Sequence, residues 1–360
     1  MPVSWIATWG TWVETNTASN ALAFHAAGGK FAVAYTDPNY FIVSPTATDP
    51  GNYPESAFGH GSNGGRSQRP EGGGTEYYLL PNSPGSQSGF QGIAQNIAGG
   101  GGFDYLYADG VSDSLSESLY RIAPIPVEIT TDAQYVDGMQ QLLALSPLPM
   151  IINGYNNGDP LREEQEYVGA PNIAGVLGEE CFTSLTFAVQ DQRWLSMADA
   201  LLATTASGHL AVCGGRGALA DNRPFRTYYL ASWWLTYDPA YSVSFEDFSS
   251  PGGVLLFPEQ LIVPTQPLQN AGADIGALQV AGGAYVRQFG ACYYSTLPWG
   301  ACAAFVNPSS SATVGMPAAA TNYHHALSLD NNNLYNGGQA SLSTSIPTSL
   351  GPGTAVILFQ

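Results

Sequence analysis

The chain has 360 residues, enough for one large domain with a small appendage, and its 44% of hydrophobic residues can bury a full core, so intrinsic disorder is excluded. Only 11% of the residues are charged, and 28 acidic residues against 10 basic ones give a formal net charge of -18. This charge excludes nucleic acid and anionic membrane surfaces as partners, because both need clusters of Lys and Arg.

The N-terminal residues from Met1 to Thr17 show neither the basic nor the apolar part of a signal peptide. The remaining composition, rich in Gly, Asn, Ser and Tyr and poor in Lys, is nevertheless typical of a secreted or periplasmic protein with an uncharged polar surface. No apolar run is long enough to span a membrane. Such a surface suits neutral ligands with many hydroxyl groups.

Short apolar runs alternate with helical patterns along most of the chain. The predicted strands are residues 5–9, 30–35, 102–109, 149–153, 173–180 and 209–213, and the predicted helices begin near Thr131, Asp191 and Phe225. Residues 44–102 interrupt this alternation with a segment rich in Gly, Pro and Ser, which we interpret as a functional loop or a partly disordered insertion.

Strands that alternate with helices indicate βαβ units and a parallel sheet. Their number approaches eight, and no nucleotide loop follows the first strand, as a doubly wound open sheet would require. We therefore predict an α/β fold, a (β/α)8 TIM barrel over residues 1–308 with residues 283–289 as a closing helix. Short strand patterns over residues 309–360 predict a small C-terminal antiparallel β appendage.

The four cysteines contain no CxxC pair, which disfavours structural zinc. Cys292 and Cys302 bracket a short turn and could close a disulfide. Cys181 and Cys213 could meet if their strands are neighbours, or could remain buried free thiols.

Several cofactor motifs are absent or out of context. Residues 59–64 match GxGxxG by spacing, but they neither follow a strand nor open a helix. There is no GxSxG and no HExxH, and the adjacent His324 and His325 would point to opposite faces of a strand. We predict no cofactor and no metal.

Carboxylates at predicted strand ends remain as candidates for chemistry. Asp109 ends one strand and is followed by Gly110, while Glu179 and Glu180 end a strand two βα units later. Active sites of TIM barrels lie at these carboxyl ends. Two carboxyl groups in one cleft, one protonated and one ionised, can together cleave a glycosidic bond. The alternative for Asp109 is a turn or a helix cap.

Aromatic and amide side chains near strand ends favour a carbohydrate cleft, because sugar rings stack on aromatic faces and amides bind their hydroxyls. For any one aromatic residue, core packing is the competing interpretation. The candidate substrate-binding residues are Asp37, Tyr35, Asn153, Tyr155, Trp234 and Trp9.

The ordered motifs resemble TIM-barrel glycoside hydrolases with a C-terminal β-sandwich. Residues 103–110 (FDYLYADG) and 151–154 (IING) resemble two consecutive barrel strands of that family, and residues 175–182 (GVLGEECF) are similar to its glutamate strand. Residues 285–289 (YVRQF) and 304–308 (AFVNP) are similar to the passage that joins barrel and sandwich. The resemblance implies a barrel with a β appendage, and a catalytic role for Asp109 and for Glu179 or Glu180.

The prediction is therefore a glycoside hydrolase that acts on a neutral polysaccharide or oligosaccharide. Asp109 is the expected nucleophile or base and Glu180 the expected acid, although the two roles can be reversed and Glu179 is the alternative to Glu180. Arg287 is expected to be a structural tie. The competing hypotheses are a carbohydrate-binding protein without catalysis and a surface-structural protein. The sequence leaves the sugar, the linkage and the oligomeric state open.

Overall fold

The computed structural model describes residues 12–15, 17–43, 53–71, 74–154, 167–183, 188–216, 222–247 and 256–360. These residues form two compact units, the first within Met1–Gly154 and Arg162–Gly175 and the second within Tyr155–Leu161 and Val176–Gln360. None of the helices in this part of the chain has the length and apolar character needed to cross a membrane.

Strands and helices alternate along most of the described chain. The described strands are β1 Trp12–Glu14, β2 Phe31–Thr36, β3 Tyr40–Val43, β4 Gln68–Glu71, β5 Gly74–Tyr78, β6 Tyr105–Ala108, β7 Met150–Asn153, β8 Ile173–Gly178, β9 Leu210–Arg216, β10 Ser242–Asp247, β11 Ile262–Pro267, β12 Tyr285–Tyr294, β13 Leu297–Asn307, β14 Val314–Gly315, β15 His325–Leu329, β16 Ala340–Ser343, β17 Ser349–Leu350 and β18 Thr354–Phe359. The described α-helices are α1 Ala18–Ala26, α2 Pro84–Gly100, α3 Leu115–Ser118, α4 Asp132–Leu143, α5 Asp191–Ala206 and α6 Arg223–Thr236.

The parallel strands are hydrogen-bonded in the order β1-β2-β6-β7-β8-β9-β10, which is also their order along the chain. Helices α1, α2, α4, α5 and α6 lie between successive members of this series. A doubly wound sheet would reverse its strand order at a switch point, so this order excludes that alternative. The predicted α/β class with sequential βα units is confirmed, and the described residues form a parallel sheet of seven strands. Five of these, β2 and β6 to β9, match predicted strands, whereas β1 and β10 were not predicted. The strand predicted for residues 5–9 lies outside the described residues.

The helices begin and bury the faces that their sequences predict. The side chain of Thr131 caps α4 by accepting a hydrogen bond from the N–H of Gln134, and Tyr135 and Met139 face the core. Helix α6 starts after Asn222, whose side chain caps the N–H of Phe225. The helix predicted to begin near Phe225 is therefore confirmed.

The Gly-rich segment at residues 44–102 is more regular than predicted. Its described part contains β4, β5 and α2, and β5 pairs with both β3 and β4 in a three-stranded antiparallel sheet. Tyr53, Phe58 and Leu79 are buried together beside this sheet. The interpretation of the segment as a loop or as partly disordered is therefore wrong for these residues.

A six-stranded sheet, in the order β11-β12-β13-β18-β15-β16, forms the C-terminal part of the second unit. Its strands pair antiparallel, as predicted for the appendage. It begins at Ile262, upstream of the expected boundary at residue 308. The helix predicted for residues 283–289 is wrong, because Tyr285–Tyr294 is a strand that forms a hairpin with β13.

The sheet is tied to helix α6 by buried polar contacts within the second unit. Arg226 and Glu259 are both fully buried and form an ion pair, with Arg226 Nη2 3.1 Å from Glu259 Oε2. The same Nη2 donates to the carbonyl oxygen of Asp330 at 3.0 Å. Arg287 Nη1 donates to the carbonyl oxygen of Leu235 at 2.8 Å, which confirms Arg287 as a structural tie.

Two of the four cysteines are bonded to each other and two are free thiols. Cys292 and Cys302 form the expected disulfide across the β12–β13 hairpin, with Cα atoms 6.0 Å apart. Cys181 and Cys213 are buried free thiols.

Candidate active site

Three polar residues stand in one row at the carboxyl ends of neighbouring strands in the first unit. The parallel register pairs Thr36 of β2 with Ala108 of β6, and Ala108 with Ile152 of β7. The N–H of Asp109 donates to the carbonyl oxygen of Thr36 at 2.9 Å, so the ladder continues for one more residue. The next residue of each strand completes what we call the polar row: Asp37, Asp109 and Asn153.

Asp109 lies at the centre of the polar row, and both of its carboxylate oxygens accept hydrogen bonds. Oδ2 accepts from the hydroxyl of Tyr35 at 2.8 Å. Oδ1 accepts from the side-chain amide of Asn153 at 2.8 Å and from the N–H of Gly110 at 2.8 Å. An ionised carboxylate has only acceptor positions, so this set of three donors suits it and fixes its orientation.

Tyr35 comes from the same strand as Asp37 and lies two residues before it. Burial, followed by the charge of Asp109, raises the pKa of Tyr35 far above its ordinary value. Its hydroxyl therefore stays protonated and remains a hydrogen-bond donor to Asp109. The ring of Tyr35 lies edge-on to that of Tyr107, with centroids 5.8 Å apart, and this packing holds the hydroxyl in place.

Asp37 is the second carboxyl group of the polar row. Its Oδ1 accepts from the N–H of Asn39 at 3.1 Å and from the N–H of Tyr40 at 3.0 Å, in the turn between β2 and β3. Burial raises the pKa of Asp37 well above its ordinary value, the negative charge of Asp109 adds to this effect, and the two backbone hydrogen bonds oppose it. The folded protein therefore favours the neutral form of Asp37.

Gly110 allows the backbone to turn directly behind Asp109. Its φ of +67° lies in the left-handed region that favours glycine. A Cβ at this position would lie 3.0 Å from Oδ1 of Asp37 and 3.2 Å from Cε2 of Tyr40. A glycine is therefore needed both for the turn and for the close approach of the two strand ends.

The three-stranded sheet supports the side of the site that holds Asp37. The guanidinium carbon of Arg69 lies 4.1 Å from the ring centroid of Tyr40, and Arg69 Nε donates to Oε2 of Glu76 at 2.6 Å. The hydroxyl of Tyr40 donates to the carbonyl oxygen of Ser118. Burial raises the pKa of Tyr40, so its hydroxyl stays a donor.

Glu179 and Glu180 follow β8 directly, as the sequence predicts, and both side chains are partly exposed. They lie in the second unit, whereas the polar row lies in the first. The pairing of Asp109 with either glutamate therefore stays a prediction.

The remaining predicted binding residues have different outcomes. Tyr35, Asp37 and Asn153 lie together around Asp109. Trp234 is fully buried in α6, and its ring centroid lies 5.7 Å from that of Phe289. Trp234 is a core residue, and its predicted role in binding a sugar is wrong. Trp9 and Tyr155 lie outside the described residues.

The sequence interpretation missed the contributions of Gly110 and Tyr40. The Asp-Gly pair signalled a turn, but nothing in the sequence showed that the N–H of Gly110 binds Asp109. Tyr40 carries no recognisable signal, because its place beside Asp37 depends on the distant strands of the three-stranded sheet. In the described part of the chain, no group of three or more His, Cys, Asp or Glu side chains could hold a metal ion.

No protein-family model matches the chain, and a search of curated proteins finds no match. Among solved structures, the chain is similar to a xylosidase from Aspergillus niger, with a TM-score of 0.49 and 10% identity over 99% of this chain and 61% of that one. It is also similar to an alpha-amylase from Malbranchea cinnamomea, with a TM-score of 0.44 and 10% identity over 95% of this chain and 76% of that one.

A third similar structure is the catalytic module of a multi-modular glycogen-degrading pneumococcal virulence factor, with a TM-score of 0.43 and 12% identity over 95% of this chain. This chain spans 63% of the length of that module. All three TM-scores lie below 0.5, so a function for this chain has to be argued from its own residues.

Proposed function

We propose that the chain is a glycoside hydrolase that cleaves the glycosidic bonds of a neutral polysaccharide or oligosaccharide. The observation that carries this proposal is the carboxylate of Asp109, which three donors orient at the carboxyl end of a parallel sheet. A carboxylate fixed in this manner is suited to attack an anomeric carbon or to take a proton from water.

The reaction needs a second carboxyl group that protonates the leaving oxygen of the glycosidic bond. We assign this role to Glu180, with Glu179 as the alternative, because both follow a buried strand at its carboxyl end. If the two carboxyl groups are about 5–5.5 Å apart, Asp109 is a nucleophile and the configuration is retained. If they are about 6.5–9.5 Å apart, Asp109 activates water and the configuration is inverted.

The substrate class follows from the chemistry of the polar row. A neutral Asp37 can donate a hydrogen bond to a sugar hydroxyl, and the amide of Asn153 can both donate and accept. A formal net charge of -18 repels anionic glycans. Trp9 and Tyr155 are proposed to stack on sugar rings, and a secreted or periplasmic location remains part of the proposal.

A hydrolysis screen with matched variants tests the proposal. Purified protein is incubated with a panel of neutral glycans, and the release of reducing ends is measured for wild type, Asp109→Asn, Glu180→Gln and Glu179→Gln. We expect Asp109→Asn and one of the glutamate variants to lose activity by about 10²- to 10⁴-fold.

The matched control is Asp137→Asn, which makes the same chemical change at an exposed position of α4 and should leave the rate unchanged. Full activity of Asp109→Asn would contradict the assignment. Titration calorimetry with the same oligosaccharides tests the main alternative, a carbohydrate-binding protein without catalysis. Binding by wild type without any hydrolysis would support that alternative.

A further inference from the structure

Two cysteine thiols that the proposed reaction does not use meet inside the second unit. Cys181 and Cys213 are both 0% exposed. Cys181 is one of the neighbours that raise the pKa of the Cys213 thiol, after burial. The Sγ atom of Cys181 also lies 3.6 Å from the carbonyl oxygen of Gly178.

The fold explains why these cysteines are neighbours. Cys213 lies in the middle of β9, and Cys181 lies in the turn that follows β8, the strand next to β9. The contact of the Cys181 sulfur with the carbonyl oxygen of Gly178 keeps it at the last residue of β8, beside the neighbouring strand β9. The carbonyl oxygen of Cys213 accepts a hydrogen bond from the hydroxyl of Tyr229 at 2.7 Å, which holds this part of β9 against α6.

We propose that Cys181 and Cys213 are a second disulfide site, which links the turn after β8 to strand β9 when the protein folds under oxidising conditions. The chain already holds one disulfide, Cys292–Cys302, so the proposed bond would complete the pairing of its four cysteines.

The bond forms by exchange with a disulfide oxidant, either a small molecule such as oxidised glutathione or a protein dithiol oxidase. One cysteine, as its thiolate, attacks the oxidant and releases one reduced thiol, which leaves a mixed disulfide. The second cysteine loses its proton and attacks the cysteine sulfur of the mixed disulfide. This step forms the Cys181–Cys213 bond and releases the second reduced thiol.

The timing of this exchange follows from burial. Burial raises the pKa of the Cys213 thiol well above its ordinary value, and the neighbouring Cys181 adds to this effect. The thiolate is the reactive form, so exchange is slow in the folded protein. We therefore expect the bond to form during folding, before β8 and β9 close over the two sulfurs.

The cross-link would also affect the proposed active site, and this part of the inference rests on the proposed function. Cys181 directly follows Glu179 and Glu180, so the bond would restrain the turn that carries the proposed acid. The chemical test of the bond does not depend on activity. If the bond is found and no glycan is hydrolysed, the proposed function fails and the disulfide stands.

Thiol counting tests the disulfide directly. The full chain is produced in an oxidising compartment, unfolded in guanidinium chloride with iodoacetamide and no reductant, and analysed by intact mass and peptide mapping. We expect no alkylated cysteine and a peptide that joins Cys181 to Cys213. Alkylation of both Cys181 and Cys213 in a chain that retains the Cys292–Cys302 link would overturn the proposal.

Two variants test which cysteines are linked to each other. Cys181→Ser should contain one alkylated cysteine, at Cys213. Cys292→Ser, the matched control, should contain one at Cys302 and keep the Cys181–Cys213 link. If a variant does not fold, wild type that has been reduced, unfolded and refolded in a glutathione buffer replaces it. Any pairing other than Cys181–Cys213 in the refolded chain counts against the proposal.

Discussion

Asp37→Asn is a substitution that we expect to stabilise the protein while it impairs the proposed site. The Oδ1 atom of Asp37 accepts hydrogen bonds from the N–H groups of Asn39 and Tyr40, and the side-chain oxygen of an asparagine can accept both. The substitution therefore removes the ionisation of this group and leaves the turn intact. The difference in free energy of unfolding between the two proteins therefore measures how much the ionisation of Asp37 destabilises the folded state.

The direction of the effect follows from proton linkage. Burial and the nearby charge of Asp109 raise the pKa of Asp37 above its ordinary value of 3.8. Between the ordinary pKa and the raised one, the folded protein keeps a proton that the unfolded chain has released. Wild-type stability therefore falls as pH rises through this window, and the contribution of Asp37 is fully present only below pH 3.8.

The size of the effect follows from the same relation. The free energy of unfolding of Asp37→Asn should exceed that of wild type by a margin that grows by up to about 1.4 kcal/mol per pH unit above about pH 4. The margin should level off at the pH that equals the pKa of Asp37 in the folded protein. Urea unfolding of both proteins, followed by tryptophan fluorescence at a series of pH values, measures the margin.

The exposed Asp137→Asn again serves as the control and should show no such margin. Parallel stability curves for wild type and Asp37→Asn across this pH range would refute the reasoning, because they would mean that Asp37 ionises equally easily in the folded and unfolded chains. A variant that gains stability and loses glycan hydrolysis would show that the buried acid is kept for function.

Three further predictions concern the surroundings of the site and the core. Tyr35→Phe removes one of the three donors to Asp109 and should lower kcat on any hydrolysed glycan by about tenfold, or about 1.4 kcal/mol, in steady-state assays. Gly110→Ala places a Cβ against a neighbouring carboxylate oxygen in a left-handed turn, so urea unfolding should show a loss of about 1–3 kcal/mol. Glu259→Gln removes the negative charge that faces the buried guanidinium of Arg226 and should cost about 3–5 kcal/mol, measured by the same unfolding assay.

The elements that local sequence patterns determine could be predicted. The strand ends at Asp109 and Asn153 and the position of Glu179 and Glu180 after β8 follow from short apolar runs that stop at polar residues. Helix α4 could be predicted from its Thr cap and its three- and four-residue spacing. Each of these signals lies within a few residues of the feature that it specifies.

Features that depend on distant partners could not be predicted. Residues 285–289 (YVRQF) fit a helical spacing as well as a strand, and their pairing with β13 decides the outcome. Nothing near Trp234 indicates that helix α6 buries its ring against β12. The raised pKa of Asp37 likewise comes from burial and from charges on Asp109 and Glu76, which the fold brings to it from other strands.

The strand order of the C-terminal sheet constrains how the protein can be made. Strand β18 does not lie at an edge but between β13 and β15. Until a ribosome has synthesised residues 354–359, the apolar stretch Ala303–Val306 of β13 has no partner along that side. The sheet therefore cannot be completed before residues 354–359 have left the ribosome, and until then the growing polypeptide exposes an unpaired apolar strand edge that is prone to aggregation.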